Sequence, residues 1–228
     1  MDFPGLPARL AQVRDTLARC QTDRGWTHPV RIVAVTKTHG PEAVRAAAAA
    51  GIQDVGENRV QEAVGKQDAL PDLTIQWHLI GTLQRNKART AVGRFSLIHS
   101  VDRTDLAAEL DRRGSNVPPQ AVLVQVNCSA EPQKGGVSPE SLPRLLDELQ
   151  GFERVRVQGL MTMSALTEDQ TEQRRAFRLL RELRDAAQRA GHALPDLSMG
   201  MSGDYPTAVE EGATMIRLGT VLFGERKV

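Results

Sequence analysis

One lysine stands where a buried β-strand is expected to end. Residues 31–36 contain the apolar run IVAV, which is typical of a parallel strand that helices cover on both faces. Lys37 follows this segment directly. A charged amine there loses hydration, so either its head reaches solvent or a partner, or the site lowers its pKa and uses the free amine as a nucleophile.

Lysine is scarce in this sequence, which makes the position of each one informative. The lysines are Lys37, Lys66, Lys87, Lys134 and Lys227, and of these only Lys37 directly follows a strong strand signal. Lys37 is therefore the candidate for amine chemistry. Lys134, beside Gly135, is interpreted as an exposed loop lysine.

Strand and helix patterns alternate along the sequence. Eight apolar segments predict strands at 30–36, 52–55, 75–80, 96–100, 121–126, 155–161, 196–199 and 215–218. Helical patterns separate them at 41–50, 59–69, 84–92, 103–113, 138–150, 169–190 and 205–211. An amphipathic helix precedes the first strand, with Leu6, Leu10, Val13 and Leu17 on one face.

This alternation is typical of βαβ units in an α/β protein. Eight units without a break in composition favour a closed (β/α)₈ barrel of the TIM type, with an extra N-terminal helix, over an open sheet. A length of 228 residues fits one such barrel, so residues 1–228 are expected to form a single domain. No GxGxxG motif follows the first strand, which argues against a dinucleotide-binding sheet.

Polar residues gather at the predicted strand ends, which form the active face of such barrels. They include Lys37, Glu57, Asn58, His78, Gly81, Ser100, Asp102, Asn127, Thr162, residues 198–203, Arg217, Gly219 and Thr220. Each one alone is typical of a turn or a helix cap. Their coincidence with the strand ends indicates a site.

Two glycine-containing loops near the C-terminus fit a phosphate. Gly200, Ser202 and Gly203 precede a predicted helix, and the segment RLGT follows one strand later. Barrels often hold a phosphate between the loops after strands seven and eight, and strand one closes the barrel beside strand eight. Lys37 would then lie near the phosphate and form a Schiff base with a phosphorylated carbonyl compound. Pyridoxal 5′-phosphate and a sugar-phosphate substrate of a lysine-dependent aldolase both satisfy this pattern.

Composition excludes several other classes of protein. The 29 lysines and arginines balance 28 aspartates and glutamates, so no net field favours nucleic acid or an anionic membrane. Cys20 and Cys128 do not form a disulfide framework, and no Cys/His spacing fits a metal site. No signal peptide or membrane-spanning run is recognisable, so we expect a cytoplasmic location.

Several motifs together resemble the pyridoxal phosphate homeostasis protein family, the YggS/PROSC group. They are AVTKTHG, GENRVQEA, WHLIGTLQRNKA, HSVDR, GLMTM and LSMGMSGDYPTAVEEGATMIRLGTVLFGER, and they cover most of the sequence. The resemblance implies the fold-type III pyridoxal phosphate barrel of alanine racemase. It also implies that Lys37 forms the Schiff base, that Ser202, Gly219 and Thr220 hold the phosphate, that Arg217 faces the pyridine nitrogen and that Asn58 borders the ring. Arg59, Thr82 and Arg85 depart from the usual family pattern.

The resemblance predicts a binding protein that holds pyridoxal phosphate for buffering, protection or delivery, without robust catalysis. Its expected partners are pyridoxal phosphate and pyridoxal phosphate-dependent apo-enzymes, and a monomer is expected. The alternative is an amino-acid racemase on the same barrel. Racemisation needs an acid/base opposite Lys37, and the only tyrosine, Tyr205, lies in the predicted phosphate loop.

Overall fold

Eight parallel strands pair in the order of the sequence and close into a barrel. The computed structural model describes residues 3–129, 131, 134–165 and 167–225. The strands are β1 (Arg31–Val35), β2 (Asp54–Glu57), β3 (Gln76–Leu79), β4 (Leu97–Val101), β5 (Gln120–Gln125), β6 (Val155–Met161), β7 (Asp196–Ser198) and β8 (Met215–Leu218). Pairing of β8 with β1 completes the ring. The predicted (β/α)₈ fold is confirmed.

Helices connect the strands and surround the barrel. They are α1 (Leu6–Arg24), α2 (Pro41–Ala49), α3 (Val60–Ala69), α4 (Ala88–Ala91), α5 (Thr104–Arg113), α6 (Leu142–Leu149), α7 (Gln170–Arg189), α8 (Tyr205–Glu210) and α9 (Thr220–Phe223). Short 3₁₀ turns at Arg85–Lys87 and Pro139–Ser141 precede α4 and α6. No helix in these described ranges is long and apolar enough to cross a membrane.

The extra N-terminal helix forms as the hydrophobic spacing predicts. Its apolar stripe, Leu6, Leu10, Val13 and Leu17, is buried where α1 packs against α8 and α9. The helix ends at Gly25, whose φ of 69° is left-handed and whose N–H donates to the Thr22 carbonyl at 3.2 Å.

The two ends of the described polypeptide meet beside this helix. The Phe3 ring packs edge-on against Phe223, with 5.2 Å between the ring centroids. Arg9 Nε also donates to the Leu222 carbonyl at 2.7 Å. These contacts attach α1 to α9 and close the outer layer of the barrel.

The second strand lies two residues later than predicted. The apolar residues Ile52 and Val55 indicate a strand at 52–55, whereas β2 spans Asp54–Glu57. Gly56 and Glu57 do not fit a hydrophobic strand pattern, yet Glu57 is fully buried. The error arises because the group that pairs with Glu57 lies on another element.

The apolar core has two layers. The larger layer fills the space between the strands and the helices. A smaller cluster consists of Val33, Leu97, Ala121, Leu123, Met161 and Met215. Since β1 and β4 are not neighbours in the barrel, their residues in this cluster meet across its interior. The interior is therefore packed with side chains and forms a floor below the C-terminal ends of the strands.

Candidate functional site

A cavity of about 470 Å³ opens at the C-terminal ends of the strands. The structure places all six predicted site residues on its walls, namely Lys37, Asn58, Ser202, Arg217, Gly219 and Thr220. His39, Gln125 and Met163 are further wall residues. Residues from both ends of the sequence reach one cavity because β1 pairs with β8, with Val33 opposite Arg217.

Lys37 lies two residues beyond the end of β1, on the wall of this cavity. It is half-buried, while Thr36 before it is fully buried. Thr38 after it has a φ of 69°, a left-handed conformation that costs a residue with a Cβ about 1–2 kcal/mol. The backbone therefore turns sharply at the lysine, and such local strain is commonly found at functional sites.

The loops after β7 and β8 meet at one hydroxyl group. The backbone N–H groups of Gly219 and Val221 both point at Ser202 Oγ, each at 3.3 Å. Gly200 shapes the first loop, because its φ is 92° and an added Cβ would lie 2.6 Å from Ala208 Cβ. Backbone amides and a hydroxyl that converge in this way can bind a phosphate group.

Asn58 is held by a glycine on the next loop. A Cβ on Gly81 would lie 2.3 Å from the Asn58 carbonyl oxygen, so no larger residue fits there without moving the backbone. Ser100 Oγ donates to the Gly81 carbonyl at 2.8 Å and fixes the loop from the other side. Asn58 is thereby positioned by backbone packing.

Arg217 provides a buried positive charge at the floor of the cavity. Its two terminal nitrogens donate to Ser198 Oγ at 2.6 Å and to the Thr162 carbonyl at 2.9 Å. Burial lowers the pKa of Arg217 to about 10, and the nearby Asp204 opposes this effect. The guanidinium therefore remains charged at neutral pH.

Sequence reasoning missed a buried ionic cluster directly behind Lys37. Lys66 Nζ lies 2.5 Å from Glu57 Oε1 and donates to the Thr36 carbonyl at 2.7 Å. The Thr36 hydroxyl donates to the same carboxylate oxygen of Glu57. These bonds fix the peptide unit that leads into Lys37. The available signal was the spacing of nine positions between Glu57 on β2 and Lys66 on α3. In the sequence alone, however, Lys66 cannot be distinguished from an ordinary surface lysine.

Two buried histidines were also missed as a pair. His78 and His99 are 1% and 0% exposed, and their ring centroids lie 5.2 Å apart. Each is the third residue of its strand, in β3 and β4. Matching positions on consecutive strands were the signal that could have placed them together.

The interpretation of Lys134 as an exposed lysine is wrong. Its side chain is 18% exposed, and Nζ lies 2.8 Å from Glu131 Oε1. It also donates to the Ser164 carbonyl at 2.5 Å, which attaches its loop to the segment after β6. The cysteines are both free and buried, and burial raises the pKa of Cys128 to about 12.

Comparison with known proteins shows the family to which this polypeptide belongs. The family model described as alanine racemase, N-terminal domain, matches residues 10–227. A pyridoxal phosphate homeostasis protein from Aquifex aeolicus (strain VF5) is 45% identical over 222 residues, which are 96% of this polypeptide and 97% of that protein. The polypeptide belongs to the pyridoxal phosphate homeostasis protein family. The resemblance read from the motifs is confirmed.

Solved structures place this member of the pyridoxal phosphate homeostasis protein family among known barrels. PipY of Synechococcus elongatus PCC7942, in a structure with PLP bound, is 42% identical with a TM-score of 0.81, and the match covers 92% of this polypeptide and all of that one. Alanine racemase of Clostridium difficile 630 is 15% identical with a TM-score of 0.74, and the match covers 96% of this polypeptide and 58% of the racemase. The second likeness shows the fold alone.

The three departures from the pyridoxal phosphate homeostasis protein family pattern lie at the exposed rim. Arg59 is 77% exposed at its side chain and pairs with Glu62 at 3.3 Å, and Arg85 is exposed. Thr82 is exposed as well and borders the cavity. The changes therefore alter the outer edge of the site and leave Lys37 and Arg217 in place.

Proposed function

We propose that this protein is a single barrel domain that binds pyridoxal 5′-phosphate in the cavity and holds it covalently on Lys37. It serves cofactor homeostasis by buffering, protection or delivery of the cofactor. The observation that carries the proposal is that Lys37, Ser202, Gly219, Thr220 and Arg217 all line one cavity. The name of the family and the PLP-bound PipY structure support the choice of cofactor.

The residues present fit this group at each of its ends. When bound, pyridoxal phosphate supplies an aldehyde carbon to which the Lys37 amine adds with loss of water. At the phosphate end, Ser202 and Thr220 provide hydroxyl groups, and Gly219 provides a backbone N–H that already points at Ser202 Oγ at 3.3 Å. Asn58 borders the space between the two ends.

Arg217 supports holding of the cofactor over turnover. Its guanidinium would face the pyridine nitrogen and disfavour a proton there, because that proton would approach a fixed positive charge. A ring without this proton withdraws electrons less strongly. Arg217 therefore weakens reactions that depend on a protonated pyridine ring.

The racemase alternative needs a second acid/base opposite Lys37. Tyr205 is 9% exposed in α8 and does not line the cavity. His39 is the other wall residue in the described part that can exchange a proton near neutral pH. Exchange of the α-proton of L-alanine in heavy water tests this alternative, and we expect no appreciable exchange. Robust exchange that is lost in Lys37→Ala and in His39→Gln would establish the racemase.

Borohydride reduction tests the attachment. Reduction blocks tryptic cleavage at Lys37, so the pyridoxyl group should appear on the peptide spanning residues 32–45. Lys37→Ala should lose this label and stay folded, and Lys87→Ala should keep it. A label confined to the Lys87 or Lys134 peptide of the wild-type protein would contradict the assignment.

Removal of one hydroxyl tests the phosphate assignment. A hydrogen bond to a charged group contributes about 1.5–3 kcal/mol, so Thr220→Val should weaken pyridoxal phosphate binding roughly tenfold or more. Binding of pyridoxal, which lacks the phosphate, should be insensitive to the same change. Equal affinities of the wild-type protein for pyridoxal and for its phosphate ester would place the phosphate elsewhere.

A further inference from the structure

A continuous hydrogen-bonded series of side chains runs from Arg217 to the opposite end of the barrel. Ser198 Oγ accepts from Arg217 and lies 3.0 Å from His99 Nδ1. His99 Nε2 lies 2.9 Å from His78 Nδ1, and His78 Nε2 lies 2.9 Å from Asp54 Oδ1. These five residues, Asp54, His78, His99, Ser198 and Arg217, are called the lumen chain below.

The lumen chain passes through the barrel interior. His99 lies on β4 and Ser198 on β7, and these strands are not neighbours, so their hydrogen bond crosses the inside of the barrel. Asp54 is the first residue of β2, and its side chain is 23% exposed at the N-terminal end of the barrel. Arg217 lines the cavity at the C-terminal end. The lumen chain therefore connects the two ends of the barrel.

When both imidazoles are neutral, the Asp54 carboxylate sets the direction of the hydrogen bonds from His78 to Ser198. The Asp54 carboxylate accepts, so His78 donates from Nε2 and accepts at Nδ1. His99 must then donate from Nε2 and accept at Nδ1 from the Ser198 hydroxyl. At the other end Arg217 has only donors, and Ser198 Oγ accepts one of them. Both neutral imidazoles thereby carry their proton on Nε2.

The surroundings of His99 agree with a neutral ring. Burial is the main cause that lowers the pKa of His99 well below its usual range, and His78, Arg217 and Arg31 add to the effect. An imidazolium at His99 would also carry a proton on Nδ1. That proton would face the Ser198 hydroxyl proton and disrupt the hydrogen bond between the two side chains.

We propose that Asp54, His78, His99 and Ser198 are positioning residues that hold the Arg217 guanidinium in one orientation and prevent proton delivery to the cavity through the barrel interior. A proton moving from the N-terminal end would have to pass from Ser198 to Arg217, which has no lone pair to accept it. The lumen chain therefore delivers no proton to the cavity. The role of Arg217 toward a pyridine nitrogen rests on the proposed function, whereas the order of the lumen chain does not.

Histidine tautomers in the protein without added cofactor test the order directly. Long-range proton–nitrogen correlation spectra of nitrogen-15-labelled protein should show Nε2–H tautomers for His78 and His99 at neutral pH. Spectra of His78→Gln and His99→Gln assign the signals. An Nδ1–H tautomer or an imidazolium at either ring would overturn the proposal.

Asp54→Asn tests whether the terminal charge sets the direction. An amide can donate or accept, so both directions become possible, and the single-tautomer pattern should become a mixture. Asp196→Asn is the matched control, because Asp196 is the first residue of β7 and pairs with Arg31 at 2.6 Å, outside the lumen chain. Unchanged tautomers in Asp54→Asn would overturn the proposal.

Ser198→Ala tests the effect on the cavity in protein loaded with pyridoxal phosphate. The wild-type absorption spectrum should be constant across the neutral pH range, whereas Ser198→Ala should acquire a pH-dependent change, because Arg217 then keeps the Thr162 carbonyl and loses the Ser198 hydroxyl as a partner. Ser198→Thr, which keeps the hydroxyl, should restore the constant spectrum. A constant spectrum in a folded Ser198→Ala protein would refute the positioning role.

The two proposals fail separately. Nε2–H tautomers at His78 and His99 in a protein that does not bind pyridoxal phosphate would contradict the proposed function and support the lumen chain. Tight binding on Lys37 together with the wrong tautomers would do the reverse.

Discussion

Lys66 extends from α3 to Glu57 and donates to the Thr36 carbonyl, while 8% of its side chain remains exposed. Glu57 is fully buried, and its Oε2 atom has no hydrogen-bond partner in the described part of the protein. The carboxylate depends on one ammonium and one hydroxyl for its compensation. These contacts also hold Thr36, the residue that precedes Lys37. The side chains of Glu57 and Lys66 therefore affect both the stability of the fold and the position of the site.

Lys66→Met should be strongly destabilising, because it leaves the Glu57 charge buried without its partner. Breaking a buried ion pair in this way costs about 3–5 kcal/mol in the free energy of unfolding, measured by urea denaturation. Lys87→Met, at a lysine outside this cluster, should stay within about 0.5 kcal/mol of wild type. The double variant Glu57→Gln/Lys66→Met should recover part of the loss. A Lys66→Met protein as stable as wild type would show that the cluster carries no net stabilisation.

His99 should make stability depend on pH below neutrality. Its pKa is lowered in the folded protein by burial and by His78, Arg217 and Arg31, so only the unfolded protein takes up the proton as the pH falls below about 6.5. The free energy of unfolding should therefore fall by up to about 1.4 kcal/mol per pH unit between about pH 6.5 and pH 5. His99→Gln should show a shallower slope in urea denaturation. Identical slopes for the two proteins would contradict the assignment.

At the scale of elements, the sequence predicted the eight strands and their order because hydrophobic periodicity reports burial. It misplaced β2, and it did not predict the short α9, where the sequence continues from β8 without a break. The partners of Glu57, His78 and His99 lie on other elements, so no local pattern separates a compensated buried charge from an exposed one. The predicted site residues could be placed around one cavity because all of them lie at or just after the C-terminal ends of strands, and the neighbours of these strands were known once the barrel was assumed.

Gly159 should be the glycine whose replacement most damages a strand pair. A Cβ there would lie 2.0 Å from the Asp196 carbonyl oxygen, between β6 and β7. Gly159→Ala should lower the free energy of unfolding by at least about 1–3 kcal/mol, since the backbone must move. Gly65→Ala is the matched change in the exposed interior of α3, where nothing lies within 4 Å, and it should raise stability by about 0.5–1 kcal/mol. Thermal and urea denaturation of both variants measure the difference, and equal effects would contradict this reading of β6 and β7.

At the scale of the whole molecule, the site is assembled from both ends of the sequence. Lys37 comes from the first strand, and Ser202, Arg217, Gly219 and Thr220 come from the last two. The closed barrel brings them together, and the sequence revealed this only through the order of its strands. Contacts inside the barrel, such as that between His99 and Ser198, depend on the strand tilt and on side-chain lengths, which periodicity does not report.

The contact between Phe3 and Phe223 brings the first and the last described residues close enough for a short linker to join the two ends. A circularly permuted protein, with the present ends joined by a flexible linker and new ends between Arg113 and Gln120, should fold and retain borohydride labelling of Lys37, because that loop precedes β5 and lies opposite the cavity. A second permutant opened within residues 199–204 should fold but lose tight retention of pyridoxal phosphate, since the cut separates Ser202 from its strand. Circular dichroism and peptide mapping distinguish the two, and loss of folding in the first permutant alone would show that continuity between α5 and β5 is required.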